Sequence, residues 1–213
     1  KLNFTGNDDD PVTLAKLSDS GFEEARGASQ TIRGWHHGRY RAMRSVRAKE
    51  LLTSLIPALL QAFSNTANPN ATLGRFDRFL SNLPTGVQLF SMLKARPQLL
   101  VLLAEIMGSA PRLANYLSEN STVVDAMISA EFHDAPPTLR ALRAEFNQSL
   151  AQAADFQDIL DLTRRHVKER KFQIGVQILG RSIDADQSGA CYADLAEASL
   201  SSLLSNVREA FAE

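Results

Sequence analysis

The run "TIRGWHHGRYRAMRSVRAKE", Thr31 to Glu50, gathers five arginines, one lysine, adjacent histidines and the only tryptophan of the chain. No acidic residue lies between Glu24 and Glu50, so the run is locally basic in a chain whose formal net charge is -1. Three chemistries compete for it: a metal site, a grip on phosphate or nucleic acid, and a charged surface that packs on another element. A metal fits poorly. Adjacent helical residues point about 100° apart, and two ligands of one ion usually sit three or four positions apart. Those positions hold Arg39, Tyr40 and Arg41, of which none is a usual zinc ligand and two would repel a cation. Read as a helix, Arg39 and Arg41 point about 160° apart, with Arg44 and Arg47 between them on one side. The charges fan, whereas a nucleic-acid face would gather them on one side with aromatics free to stack. Arginine stems also lie on apolar surface while their guanidinium groups pair with carboxylates of another helix or domain. The candidate interaction residues are therefore Trp35, His36, His37, Arg39, Arg41, Arg44 and Arg47, facing protein and not metal.

Other constellations carry less. Asp184 and Asp186 in "GRSIDADQSG" imitate the D-x-D of metal-dependent nucleotidyl transfer, which needs two carboxylates on a rigid strand. Here the pair falls between helices with no strand predicted, so a turn or cap role is expected, as for Asp8, Asp9 and Asp10. No P-loop, nucleophile-elbow or H-E-x-x-H pattern occurs. Cys191 with distant His133 and His166 is too thin a basis for a thiol catalyst. Arg164 to Lys171 reads as a solvated helix face, with an acidic partner surface as the sharper alternative.

The elements that must position these residues read as helices throughout, because apolar residues recur at helical spacing and no sustained alternation appears. The predicted fold class is all-α, a compact array of short helices followed by longer packed ones. "DDDPVTL" starts a short helix, with Asp10 as cap and Pro11 in the first turn. A long helical segment is predicted from about Trp35 to Phe63, kinked or divided at Pro57. After "NTANPNAT" come "LGRFDRFLSNL", "GVQLFSMLKA", "PQLLVLLAEIM" and "PRLANYLSEN", short helices set off by prolines and expected to cross steeply. "ISAEFHDAPPT" is the expected boundary. Beyond it, "TLRALRAEFNQSLAQA" and Asp155 to about Gly180 make two helices, the second striped by Phe156, Leu160, Thr163, Val167, Ile174 and Ile178. "DADQSG" reads as a turn before a last helix. The expected organisation is an amino-terminal segment 1–34, a helical array 35–130 and a long-helix region 131–213.

Composition bounds the function class. Hydrophobic content of 44% with 22% charged residues is ordinary for a soluble globular protein, and a pI near 6.5 argues against a general nucleic-acid binder. The lone Cys191 precludes an internal disulfide and fits a reducing compartment; the expected location is cytoplasmic. "LLVLLAEIMG" is shorter than the roughly 20 residues of a membrane span, so no membrane partner is expected. The chain has no signal-like apolar core and does not start with methionine, as expected of a piece of something longer.

Extended outward, the basic run carries a resemblance. "LSDSGF", "TIRGWHHGRYRAMRSVRAKELLTSLIPALLQAF", "FDRFLSNLPTGVQLFSMLKARPQLLVLLAEIMGSAPRLANYL", "DFQDILDLTRRHVKERKFQIGVQILG" and "YADLAEASL" occur in that order. Together they resemble the central part of the bacterial glutamine synthetase adenylyltransferase family, in its alphaproteobacterial branch. The resemblance implies a large, bifunctional parent enzyme of nitrogen regulation. One nucleotidyltransferase half transfers AMP from ATP to glutamine synthetase and the other removes it, under the control of glutamine and a PII signalling protein. ATP and Mg are implied for the parent, at motifs of the G-K-L-G-G and S-D-L-D-L type that this chain lacks. No catalytic residue, cofactor or metal is therefore expected here. The expected role is a helical connector leading into the second catalytic half, with the flanking catalytic domains, glutamine synthetase and PII signalling protein as candidate partners. Two other readings stay open: a chain that binds ATP through its basic segments, and a stand-alone protein-interaction or nucleic-acid-binding module.

Overall fold

A computed structural model describes residues 4, 10–36, 40–128, 132 and 134–211. Every regular element among them is helical, and the all-α expectation holds. The chain divides into two compact units, 1–128 and 129–213.

The first unit begins with α1 (Pro11–Asp19) and α2 (Ala25–His36). Asp10 caps α1 by accepting from the Thr13 backbone N–H at 3.0 Å, and Pro11 occupies the first turn, where its missing N–H costs nothing. A single 3-10 turn, Arg41–Met43, precedes α3 (Val46–Ser64), and α4 (Pro69–Asn82), α5 (Val87–Ala95), α6 (Pro97–Ser109), α7 (Pro111–Glu119) and α8 (Ser121–Ile128) follow. Helices α4, α6 and α7 each open on a proline, and at Pro97 and Pro111 the same residue that ends one helix starts the next. Helix α8 was not singled out by the sequence pattern.

Two expectations for the basic segment need correction. The predicted Trp35–Phe63 helix is two helices, because α2 stops at His36 and α3 starts only at Val46. Ser45 supplies the stop-and-start signal, its hydroxyl accepting from the Ala48 N–H at 3.1 Å. A single helical wheel therefore does not relate Arg41, Arg44 and Arg47. Pro57, in turn, does not divide α3, which runs unbroken from Val46 to Ser64. Pro57 and Thr53, whose carbonyl loses its amide partner, are both exposed, so water can serve the freed oxygen. Leu51, Leu52, Leu55 and Ile56 before the proline, and Leu59, Leu60 and Phe63 after it, are buried and hold both halves to one core.

That core centres on Phe76 of α4, whose ring lies 5.6 Å from Trp35, 5.3 Å from Phe63 and 6.1 Å from Phe79. Edge-on and tilted pairs at such spacings add to simple burial. Helices α4 and α6 are tied by Arg75, whose guanidinium donates to the Met107 carbonyl at 2.5 Å, serving an oxygen near the end of α6.

The second unit holds α9 (Leu139–Leu150), α10 (Phe156–Leu179) and α11 (Ala185–Ala210). Leu142 and Phe146 of α9, Ile174 of α10, Ile183, and Leu195 and Ala198 of α11 make its core. Of the predicted α10 stripe, Thr163 and Ile174 are buried while Ile178 is exposed. The carboxy-terminal third of α10 is buried on more sides than one stripe, from Phe172 to Gln177. "DADQSG" is not a turn: α11 starts at Ala185. Asp184 and Gln187 exchange hydrogen bonds, carboxylate from the Gln187 N–H at 2.8 Å and amide oxygen from the Asp184 N–H at 2.9 Å, which is a capping box.

Helix α10 ends with Ser182 N–H on the Gln177 carbonyl and Arg181 N–H on that of Ile178, a Schellman closure. Its left-handed residue is Arg181, at φ 55°, where glycine is the usual occupant. Arg181→Gly should raise stability by about 0.5–1 kcal/mol, read as a higher urea midpoint with unchanged slope.

Candidate functional site

The basic run is seated on the first unit by two bonds to one carboxylate oxygen. Trp35 is 1% exposed, and its indole N–H donates to Asp77 Oδ1 at 2.8 Å. The Tyr40 hydroxyl donates to the same oxygen at 2.9 Å. Asp77 thus bonds Trp35 and Tyr40 together; residues 37–39, with the predicted His37 and Arg39, lie outside the described residues. Next along the chain, Ala42 and Met43 of the 3-10 turn are buried. The Ala42 carbonyl comes so near Gly86 that a Cβ there would lie 2.6 Å from it. The glycine permits the approach.

Above this seat the chain presents its charges. Arg41, Arg44 and Arg47 are exposed, and Arg47 pairs with Glu50 at 3.6 Å. Both members of that pair are well exposed, so it is worth little. Val46, between Arg44 and Arg47 in the sequence, is 73% exposed. His36 ends α2, is half-buried and has an interaction partner. The structure therefore separates the predicted residues by role: Trp35 is a buried anchor, and Arg41, Arg44 and Arg47 form the accessible surface. Asp77, Tyr40 and Gly86 complete the site and were missed, since nothing local in sequence pairs Trp35 with a residue 42 positions away.

The remaining candidates are structural. Asp184 is the cap of α11 and Asp186 lies in its first turn. Among the described residues no three His, Cys, Asp or Glu side chains are grouped to hold a metal. No helix among them is long and apolar enough to cross a membrane. Cys191 packs on the second unit's core, and burial, then the Asp194 carboxylate, push its thiol up from the ordinary value, which lowers its thiolate fraction. His133 lies outside the described residues.

Arg164 to Lys171 is only partly a solvated face. Arg164, Arg165, Lys168 and Lys171 are exposed, but Arg170 turns toward α9, donating to Glu145 at 2.5 Å and to the Gln173 amide oxygen at 2.6 Å. Gln173 in turn donates to the Phe132 carbonyl at 3.0 Å, and His166 lies 3.5 Å from the same Glu145. This ladder pairs the side chains of Arg170 and Gln173 along α10, while the buried His166 Nε2 makes no hydrogen bond.

Comparison with known proteins adds the relationship. The family described as Glutamate-ammonia ligase adenylyltransferase matches residues 100–212. The bifunctional glutamine synthetase adenylyltransferase/adenylyl-removing enzyme of Brucella suis biovar 1 (strain 1330) is 43% identical over 196 residues, covering 92% of this chain and 20% of the relative. The proteins of the same name from Mesorhizobium japonicum and Agrobacterium fabrum are 42% and 43% identical, over 99% and 98% of this chain and 21% and 22% of their own length. The chain spans about one fifth of the length of these relatives. No solved structure matches it.

Proposed function

Because the chain belongs to the glutamate-ammonia ligase adenylyltransferase family, we propose that it is a helical connector and regulatory region of a glutamine synthetase adenylyltransferase, with no active site of its own. The observation that carries this reading is the Arg41, Arg44, Val46 and Arg47 surface, held on Asp77 and Gly86 and turned to solvent. A fixed backbone spends little ordering entropy when a partner arrives, and guanidinium forks suit carboxylates. The partner is an acidic face on a flanking catalytic domain of the same polypeptide, with glutamine synthetase and a PII signalling protein as the other candidates. ATP and magnesium then act in those flanking domains, and the setting is the cytoplasm.

Contacts of this kind regulate if the helices favour one arrangement of the flanking domains over another. The joint reversal Arg41→Glu, Arg44→Glu and Arg47→Glu in the full-length enzyme should shift the balance of adenylylation and removal in response to glutamine by at least severalfold. Unfolding stability should stay within about 0.5 kcal/mol, as for exposed substitutions elsewhere. An effector response equal to that of the unaltered enzyme overturns the reading. The 213-residue chain, mixed with ATP, magnesium and glutamine synthetase, should transfer no AMP and release no binding heat with the nucleotide. Transfer of AMP by this chain overturns the non-catalytic part.

A further inference from the structure

Helix α11 is apolar on two opposite sides. One carries Leu195 and Ala198, buried against Leu142 and Phe146 of α9 and Ile174 of α10. At about 100° per residue, Ala193, Leu200, Leu204, Val207 and Phe211 fall on the other side. There Leu200 is 67% exposed, Leu204 51% and Phe211 76%. Positions 200, 204, 207 and 211 follow the spacing with which one helix offers a seam to another. The Phe211 ring meets that of Phe156 edge-on at 5.8 Å, which fixes one edge and leaves most of the ring in water. Glu197 and Arg208 border the seam and are exposed, and Glu197 is held by Arg143 of α9 at 2.7 Å, a polar rim beside an apolar strip.

Scattered exposed leucines are ordinary, but large apolar side chains lined up on one helix face, as Leu200, Leu204 and Phe211 are, mark an interaction site. Its extent also bears on the occupant. A stable dimer buries roughly 800 Å² on each partner, more than three exposed side chains on one helix offer a second copy. The relatives, in contrast, extend to about five times the length of this chain. A segment of the same polypeptide is present at an effective concentration on the order of millimolar, so a narrow strip suffices to hold it. We infer that the outer seam of α11 is the docking face for an apolar helix in the remainder of the longer adenylyltransferase polypeptide. The inference rests on the proposed connector role and adds to it the surface through which the second unit is fixed to its neighbour.

Hydrogen exchange across residues 197–211, in the 213-residue chain and in the full-length protein, tests it together with the variant Leu200→Glu/Leu204→Glu. The isolated chain should sediment as a monomer, and its α11 amides should exchange at least tenfold faster than those of the full-length protein. The double variant should return the full-length protein to the faster rate and leave the isolated chain unchanged. Equal rates in the two proteins overturn the inference. So does a concentration-dependent dimer of the isolated chain that the double variant dissociates, since the occupant is then a second copy. Failure of the connector reading looks different: the arginine reversal leaves the effector response unchanged while α11 stays protected.

Discussion

Asp77→Ala should destabilise the first unit by about 2–3 kcal/mol, because it removes the acceptor of two hydrogen bonds and strands a buried donor. Trp35 Nε1 and the Tyr40 hydroxyl share one carboxylate oxygen at 2.8 and 2.9 Å. Bonds to a charged group are worth about 1.5–3 kcal/mol, and an orphaned buried N–H costs about 1–3; the two figures overlap here because Trp35 is both partner and orphan. Asp77→Asn keeps an acceptor oxygen and should recover most of the loss. Trp35 is the only tryptophan, so its emission reports the site directly: red-shifted in the alanine variant, near the parent's in the asparagine variant. In the full-length enzyme the alanine variant should also mimic the arginine reversal, since Arg41 and Arg44 lose their seat without losing their charge. Parent-like urea midpoint and emission in Asp77→Ala would remove the anchor from the account.

The same residues show how far the sequence could be read. Helix starts were legible at Asp10 with Pro11 and at the prolines 97 and 111, which act within one turn of themselves. In contrast, "NTANPNAT" read as a break and in fact holds the first turn of α4, capped by Asn68 and opened by Pro69. Pro57 does not divide α3, because its effect depends on which face it occupies, and an exposed face with buried residues on both flanks tolerates it. "DADQSG" misled, since aspartate serves both turns and caps, and only the Gln187 partner separates the two. The arginines were legible as a surface, and Arg41, Arg44 and Arg47 are exposed. What holds them was not, because Asp77 and Gly86 reach the segment across the fold. Packing between distant residues leaves no local pattern. The outer face of α11 was hidden for a related reason: Leu195 and Leu200 look alike in sequence, and only the placement of α9 and α10 decides which is buried.

Gly86→Ala carries the larger penalty, about 3 kcal/mol or more, as overpacking against atoms that cannot move. The added Cβ would meet the Ala42 carbonyl oxygen at 2.6 Å and press still closer on the Phe90 ring. Phe90 is fully buried, so it has no free rotamer to retreat into, and the carbonyl belongs to the turn that carries Arg41. Relief therefore requires the start of α5 and the 3-10 turn to separate, which opens the core beneath Met43. Gly74 provides the control. It is exposed within α4, and a Cβ there meets nothing within 4 Å, so Gly74→Ala should stabilise by about 0.5–1 kcal/mol through helix propensity. Urea unfolding of the two variants should move the midpoint in opposite directions with similar slopes. A parent-like midpoint for Gly86→Ala means that the turn does not rest on α5, and the fixed platform beneath the arginines then loses one of its two supports.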